Sequence, residues 1–500
     1  MVSLWIDALC IDQENDTEKS LQVARMQDIY RKANRVIIWL PRKNEQSSSD
    51  VAAAACWLHD LGESEAERTK TIKEPLLTCF KRQSPDHHSK APFHEVLRLA
   101  WFRRIWVVQE AVVARDLVVR LGDTELPWEI FATATLRFMS YLEAEEALEA
   151  SLSKCFVSAR ESYFDDETRL GLSMVGLIYA LRERTKSLNV TFSPSALVSM
   201  CKDCLASLDV DMIYAVAGLF GLSKIRYPID YKLSTNEVYM AFVVWCIQQE
   251  KTLDVLAQQR YEDGITPGSA YLPTWAVNWS NLALNNFNIS ERSSIHSTIS
   301  QPTIRPPHVP KCERKGLFLL LKGYILDDID GGGSSFPVPD VEEHASMSEE
   351  YQKLLNVWHK SIPNDPKTNR LIFGDKHPTK ETLHKLYVKM MAKESQTSHL
   401  WRDGVVQPAE EKRVDYRAAV ITERGWLAIT FRYFGGMAKL CCLTGGRGLF
   451  VLRPLGPNLL TGEMTYSIIS GDCFIDGFED GKGVAMARKM GIKEEEIQLR

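Results

Sequence analysis

Several features that mark other classes of protein are missing from this sequence of 500 residues. The formal net charge of -5 gives no overall basic surface, so a nucleic-acid partner is not expected. No apolar run approaches the roughly 20 residues that cross a bilayer, so a membrane partner is not expected either. The N-terminus lacks the basic stretch that opens a secretory signal. These absences favour a cytoplasmic protein.

Cysteine is sparse, and its pattern argues against metal binding. The eleven cysteines are odd in number and lie mostly in apolar segments, as Cys246 does, which is typical of buried thiols in a reducing compartment. Cys201 and Cys204 form a lone CxxC pair, whereas a zinc site needs two further ligands. His87 and His88, which are adjacent in the sequence, also have no further candidate ligands nearby. We therefore expect no metal site.

Residues 4–40 predict a strand, an acidic loop, a helix and a second strand. Leu4 to Leu9 is an apolar run interrupted by Asp7, and Arg35 to Leu40 is a second apolar run. Apolar residues at three- and four-residue spacing mark one buried helix face between the two runs, namely Val23, Met26, Tyr30 and Ala33. Two apolar strands bridged by a helix form a βαβ unit, which predicts a parallel sheet.

Acidic and amide side chains follow the first predicted strand. Asn15 or Asp16 is suited to cap the helix, and early acids such as Glu18 suit its positive end. Ligands of parallel sheets lie beyond the carboxyl ends of the strands, and Asp7 to Gln13 is such an end. The sequence therefore places its best candidate site here.

A second dense block runs from Phe93 to Leu121. On one continuous helix, Arg104 and Glu110 would point to different faces, because six residues correspond to about 600° of rotation. Trp106, Gln109 and Glu110 would instead share a face. This block adds one further acid, Glu110, to the candidate site formed by Asp7, Asp12 and Glu18.

These blocks resemble the signatures of the fungal heterokaryon-incompatibility (HET) domain. The first match comprises Trp5, Ile6, Asp7, Ala8, Cys10, Ile11, Gln13, Glu18, Gln22, Val23, Met26, Ile29, Tyr30, Ala33, Val36, Trp39 and Leu40. The second comprises Trp101, Phe102, Arg104, Trp106, Gln109 and Glu110, and a third, weaker match comprises Asp211, Tyr214, Gly218 and Leu219. Val210 and Asn278 stand where the family usually has an arginine and an acid.

The resemblance implies a fold and a division of the chain. We expect an α/β HET domain with a flavodoxin/TIR-like parallel sheet at residues 1–125, followed by a helical region at 126–280. A loop or linker at 281–315 and an α+β region with a β-rich tail at 316–500 would complete the chain. The family normally begins with an earlier strand and helix that carry Leu-Ser-Tyr-x-Trp-Gly. Since that segment is missing, we expect an N-terminally truncated HET domain.

The resemblance also implies a role in fungal non-self recognition. Such proteins promote programmed cell death after hyphal fusion, and we expect a protein partner to trigger self-association of the α/β domain into a homo-oligomer. A degenerate member that works in another gene context, such as a metabolite cluster, is a further interpretation. The missing N-terminal segment, Val210 and Asn278 favour that interpretation.

An enzymatic interpretation stands beside the signalling one. HET domains remotely resemble TIR domains, some of which cleave NAD with a glutamate, so NAD is a candidate substrate here. Glu18 or Glu110 would be catalytic, and the binding residues would be Asp7, Asp12, Gln13, Arg104 and Gln109. A structural alternative is that these acids cap the helix and pair with Arg25, Arg104 or backbone N–H groups. Cys10 is interpreted as a buried structural thiol rather than a nucleophile.

Overall fold

A computed structural model of the chain describes its helices and strands. It covers residues 3–40, 96–136, 166–186, 193–220, 226–258, 272–280, 308–329, 335–337, 349–362, 378–386, 418–430, 436–475, 478 and 481–500. The named helices are α1 (Asp7–Cys10), α2 (Asp16–Lys32), α3 (Trp106–Val113), α4 (Asp166–Lys186), α5 (Pro194–Met200), α6 (Asp211–Tyr214), α7 (Thr235–Glu250), α8 (Asp254–Ala257), α9 (Glu349–Ser361) and α10 (Lys482–Lys489).

The strands fall into two groups along the chain. The first group is β1 (Val36–Leu40), β2 (Leu117–Leu121) and β3 (Thr124–Pro127). The second is β4 (Glu313–Lys315), β5 (Phe318–Ile329), β6 (Ser335–Pro337), β7 (Ala418–Ile421), β8 (Leu427–Thr430), β9 (Ala438–Leu443), β10 (Leu449–Pro457), β11 (Met464–Cys473) and β12 (Glu495–Leu499).

The chain divides into two compact units. Of the described residues, those within 1–192 and 203–232 form the first unit, and those within 193–202 and 233–500 form the second. The short segment 193–202 belongs to the second unit, although the chain on both sides of it belongs to the first.

A three-stranded sheet lies in the first unit. Strand β1 pairs in parallel with β2, and β2 turns back at Gly122 to pair antiparallel with β3. Gly122 has a φ of 59°, which a residue without a Cβ adopts at little cost. The predicted second strand is therefore confirmed, but its parallel partner is β2 rather than the predicted first strand, and the sheet is mixed. The flavodoxin/TIR-like arrangement is not confirmed by the described strands.

The predicted first strand is wrong. Residues 7–10 form the short helix α1, in which the Cys10 N–H donates to the Ile6 carbonyl and the Ile11 N–H to the Asp7 carbonyl. These local bonds replace the ladder bonds that a strand would make. Leu4 and Leu9 are also 72% and 80% exposed, so the apolar run does not enter a core. An apolar run alone does not distinguish a buried strand from a short helical segment.

Helix α3 lies at the centre of the first unit's core. Val107, Val108, Ala111 and Val112 are buried on it, and Val119 and Leu121 of the sheet are buried as well. Arg182 of α4, also buried, donates from Nη1 to the carbonyls of Ala111 and Ala114 at 2.5 and 2.9 Å. These bonds satisfy carbonyls that the end of a helix otherwise leaves unpaired. Arg182 thus fixes the C-terminal end of α3.

The second unit confirms the predicted β-rich tail. Strands β5, β9, β10, β11 and β12 pair in that order, and β12 pairs back onto β5, so the sheet closes on itself. A separate sheet of β6, β7 and β8 packs against α9, where Trp358 donates its indole N–H to the Gly425 carbonyl at 2.9 Å. Overall, the described chain is mixed α/β.

No helix among the described residues is both long and apolar enough to cross a bilayer. The predicted linker at 281–315 lies largely outside the described residues, and the pair His87-His88 lies wholly outside them.

Candidate functional site

The acidic loop and α2 are arranged by local hydrogen bonds. Of the two predicted caps, Asn15 is the one that caps α2: its side chain accepts from the N–H groups of Thr17 and Glu18, both at 3.1 Å. The Asp12 carboxylate accepts from the Glu14 N–H at 3.1 Å, which is a turn typical of aspartate. The helix thereby begins in a fixed place, and Tyr30 is carried on its last turns.

Helix α3 begins immediately after a break in the helical conformation, where the chain is continuous but locally extended. A 3-10 turn ends at Arg103, and Arg104 is extended, with φ -76° and ψ 130°. Backbone bonds between Arg103 and Leu205, and between Ile105 and Leu205, hold the break in place. Arg104 is therefore not on the same helix as Glu110, and the rotation argument for separating them does not apply.

Four side chains meet beside this break, and we call them the acidic cluster: Asp7, Tyr30, Arg104 and Glu110. Arg104 Nη2 lies 4.0 Å from Asp7 Oδ2. The Tyr30 hydroxyl donates a hydrogen bond to the Glu110 carboxylate, and the charges of Asp7 and Arg104 act on both groups. The ring of Trp5 meets Tyr30 edge-on, with 5.3 Å between ring centroids. The cluster thus joins α1, α2 and α3.

Burial gives Glu110 unusual acid–base properties. Its pKa is raised from 4.5 to about 7, with burial as the largest cause; the charge of Asp7 also raises the pKa, while Arg104 and the Tyr30 hydrogen bond lower it. Burial likewise raises the pKa of Tyr30 well above its usual value, and the negative charge of Glu110 adds to that effect. The Tyr30 hydroxyl therefore remains a hydrogen-bond donor at neutral pH.

The acidic cluster has the groups needed for proton transfer beside a fixed cation. A carboxyl group with a pKa near 7 is suited to act as a general acid or base at physiological pH. Arg104 is half-exposed and can contact a ligand, and Asp7 supplies a second, more accessible carboxylate. At 4.0 Å and with this exposure, the Arg104–Asp7 pair itself contributes little to stability.

The structure brings together only part of the predicted site. Asp7, Arg104 and Glu110 lie in the acidic cluster. Glu18 accepts from the Asp12 N–H at 3.4 Å, next to the capped start of α2. Gln13 donates weakly from its side chain to the Asp7 carbonyl, at 3.4 Å.

Gln109 has a different environment from Glu110. It is 1% exposed, and its side-chain oxygen accepts from the Gly218 N–H at 2.9 Å. Gln109 therefore binds backbone inside the core. Cys10 differs from expectation as well, because its thiol is exposed rather than buried.

Sequence reasoning missed a second buried carboxylate, Asp211. It accepts from the Tyr231 hydroxyl at 2.7 Å and from the Trp106 indole N–H at 3.3 Å. Lys19 lies over the Tyr231 ring, 4.3 Å from its centroid. The third resemblance contained Asp211, which was a signal for its importance, but nothing in the sequence linked it to Tyr231 or Trp106.

The glycine of the same segment has a steric role. A Cβ on Gly218 would lie 2.3 Å from the Gln109 side-chain oxygen and 2.8 Å from the Gln27 Cβ. Gln27 also donates from its side chain to the Gly218 carbonyl. Two glutamines of the first two signature blocks thus hold the backbone of the third, which explains why a side chain has no room there.

A comparison with known protein families matches the part of the chain that holds the first two sequence blocks. Residues 1–110 match the family model described as Heterokaryon incompatibility protein (HET). The resemblance drawn from the two sequence blocks is thereby confirmed over the part of the chain that holds α1, α2, β1 and most of α3.

One curated relative is similar over a longer stretch. It is the "Heterokaryon incompatibility protein 6, OR allele" of Neurospora crassa, and it is 22% identical over 425 residues. The alignment covers 75% of this chain and 60% of the relative, so the chain spans about three fifths of that protein's length. No solved structure matches the chain.

Proposed function

We propose that this protein acts in fungal heterokaryon incompatibility. In this proposal a protein partner triggers self-association of the N-terminal unit in the cytoplasm, and the resulting homo-oligomer promotes programmed cell death. The observation that carries the proposal is the match of residues 1–110 to the HET family model. The name of the Neurospora crassa relative supports the same role.

Induced expression in a filamentous fungus tests this role. We expect the intact chain, expressed with the genes of candidate partner loci, to lower colony formation and increase the fraction of dye-permeable cells. Cells that carry the same expression system without the chain are the control. Equal viability with and without the intact chain, across all the candidate partners, would contradict the proposal.

A second candidate function is hydrolysis of the nicotinamide bond of NAD at the acidic cluster. The observation that favours it is the Glu110 carboxyl, whose pKa of about 7 comes from burial beside Asp7 and Arg104. In this reaction water attacks the ribose carbon, and nicotinamide leaves with the bonding electron pair. A carboxylate stabilises the oxocarbenium-like centre or orients the ribose.

The two predicted catalytic glutamates are expected to give different results when each is replaced. Glu110 lies in the acidic cluster, whereas Glu18 binds the Asp12 N–H. We expect purified Glu110→Gln protein to lose NAD turnover, and Glu18→Gln protein to retain it. Absence of turnover in the unmodified chain would remove this candidate and leave the incompatibility proposal standing.

A further inference from the structure

Strand β1 presents apolar side chains on two opposite faces. Ile38 and Leu40 are 3% and 1% exposed, so they belong to the core. Ile37 and Trp39 alternate with them and are 44% and 73% exposed. A parallel strand is usually covered on both faces. An uncovered tryptophan in a parallel strand is therefore unusual and points to a contact surface.

The strand register extends this surface across the sheet. Trp39 pairs with Arg120 on β2, and Arg120 pairs with Glu125 on β3. Residues that pair in register lie on the same side of a sheet. Trp39, Arg120 and Glu125 thus form one exposed row, and we call this row together with Ile37 the open sheet face. Val118, which pairs with Ile37, is buried at 6% exposed, so the exposed area on β2 begins at Arg120.

The charges around the open sheet face balance. Arg120 lies 3.7 Å from Glu125, and Arg35 lies 3.6 Å from Glu125 and 2.7 Å from Asp116. Two basic and two acidic groups thus lie beside Trp39 and Ile37 and form a polar rim on one side of them. Apolar side chains next to a polar rim are typical of a protein interface, in which tryptophan and arginine commonly contribute most of the binding energy.

The charge balance also indicates the kind of partner. A nucleic acid or an anionic membrane would require an excess of basic groups on this surface. A second copy of the chain carries the same balanced rim, so two open sheet faces can meet around a twofold axis without net repulsion. Each acidic group then has a basic group available in the other copy.

We propose that the open sheet face is the contact between two copies of this chain, with Trp39 at its centre. This inference rests on the proposed self-association and assigns it a surface. Because the face is exposed in the described structure, the contact needs no prior rearrangement of the sheet.

Sedimentation equilibrium of the full chain over a wide concentration range tests this contact. We expect a monomer–dimer equilibrium, and we expect Trp39→Arg to raise its dissociation constant about thirtyfold or more, since it places an unpaired charge at the centre. Trp39→Phe keeps an apolar ring and should bind within a few fold of the unmodified chain. Circular dichroism and thermal unfolding establish that both variants fold.

A matched control comes from the turn between β10 and β11. Leu459 and Leu460 there are 101% and 94% exposed, and replacing both with serine removes apolar surface from the second unit. We expect this double variant to dimerise as the unmodified chain does. Weaker dimerisation in it, with Trp39→Arg unaffected, would overturn the assignment to the open sheet face.

Two other outcomes overturn the inference and leave the proposed function standing. If folded Trp39→Arg protein dimerises as tightly as the unmodified chain, self-association occurs through another surface. If the unmodified chain stays monomeric at every concentration, this face is not a contact between copies. Association would then occur through a different surface that forms only when the activating partner binds, as the proposed function allows.

Discussion

At the scale of single residues, the signature positions of this chain have identifiable physical roles. Gln109 binds the Gly218 backbone, Trp106 binds Asp211, and Glu110 belongs to the acidic cluster. Gln109 and Trp106 therefore stabilise the fold, whereas Glu110 has the acid–base properties of a functional site. A signature residue in this chain is thus not by itself a catalytic residue.

Gly218 permits a direct test of the packing role. In Gly218→Ala, the new Cβ would meet two glutamine side chains closer than atoms tolerate, so we expect a loss of about 1 to 3 kcal/mol in the free energy of unfolding. Gly176→Ala is the matched control, because the nearest atom to its Cβ lies 3.9 Å away and alanine favours the α4 helix. Urea unfolding measures both. A Gly218→Ala chain as stable as Gly176→Ala would contradict the packing role.

The raised pKa of Glu110 predicts that the free energy of unfolding depends on pH. Its pKa is raised from 4.5 to about 7 in the folded chain, so the folded chain holds this proton more tightly than the unfolded chain does. Its contribution to stability is therefore present below about pH 4.5 and is lost as the pH rises to about 7. The full effect is at most about 3.4 kcal/mol, since one pKa unit corresponds to about 1.4 kcal/mol.

Urea unfolding at pH 5.5 and pH 8 measures this contribution. We expect Glu110→Gln to reduce the loss of stability between these two values, because glutamine does not titrate. Glu18→Gln removes an acid that is not in the acidic cluster and should behave like the unmodified chain. The same pH dependence in the unmodified and Glu110→Gln chains would show that Glu110 ionises normally.

At the scale of elements, sequence patterns predicted what is determined locally. The cap at the start of α2 and the strand at Val36–Leu40 each depend on a few neighbouring residues, and the structure has both. The strand predicted at Leu4 to Leu9 depended on a sheet neighbour, which an apolar run cannot specify. Those residues form α1 instead.

The acidic cluster was only partly predictable for the same reason. Asp7 and Glu110 were in the candidate site, but Arg104 and Glu110 were expected on different faces of one helix. The break at Arg104 depends on backbone bonds to Leu205, about a hundred residues later in the chain. Tyr30 appeared only as a core residue, because the partner of its hydroxyl lies on another helix.

Replacing Arg182 tests whether its side chain stabilises the C-terminal end of α3. Arg182→Met keeps an apolar stem in the core but leaves the carbonyls of Ala111 and Ala114 without their charged donor. We expect a loss of about 2 to 3 kcal/mol in the free energy of unfolding. Lys186→Met, on an exposed position of the same helix, should change stability by less than about 0.5 kcal/mol. Similar losses in the two variants would show that Arg182 does not hold α3.

At the scale of the whole molecule, the family match ends before the first unit does. Residues 1–110 match the family model, but residues 203–232 belong to the same compact unit and carry Asp211, Gly218 and Tyr231. The contacts of these residues with Trp106, Gln109 and Lys19 are part of the unit's core. We therefore infer that the first unit needs this later segment in order to fold.

Two shortened chains test that inference. We expect a chain that ends at residue 232 to unfold cooperatively on heating, and a chain that ends at residue 136 to show no cooperative transition. Differential scanning calorimetry distinguishes the two. A cooperative transition of similar midpoint in the shorter chain would show that residues 203–232 are dispensable for the fold.

The most direct test of the proposed function is forced association inside living fungal cells. The intact chain is fused to a domain that dimerises on addition of a small molecule, and cell death is scored by dye entry before and after addition. The account predicts a rapid rise in dead cells upon forced dimerisation, without any incompatibility partner, and no rise when the dimerising domain is expressed alone. Cells that remain viable while the intact chain is demonstrably dimeric would contradict it.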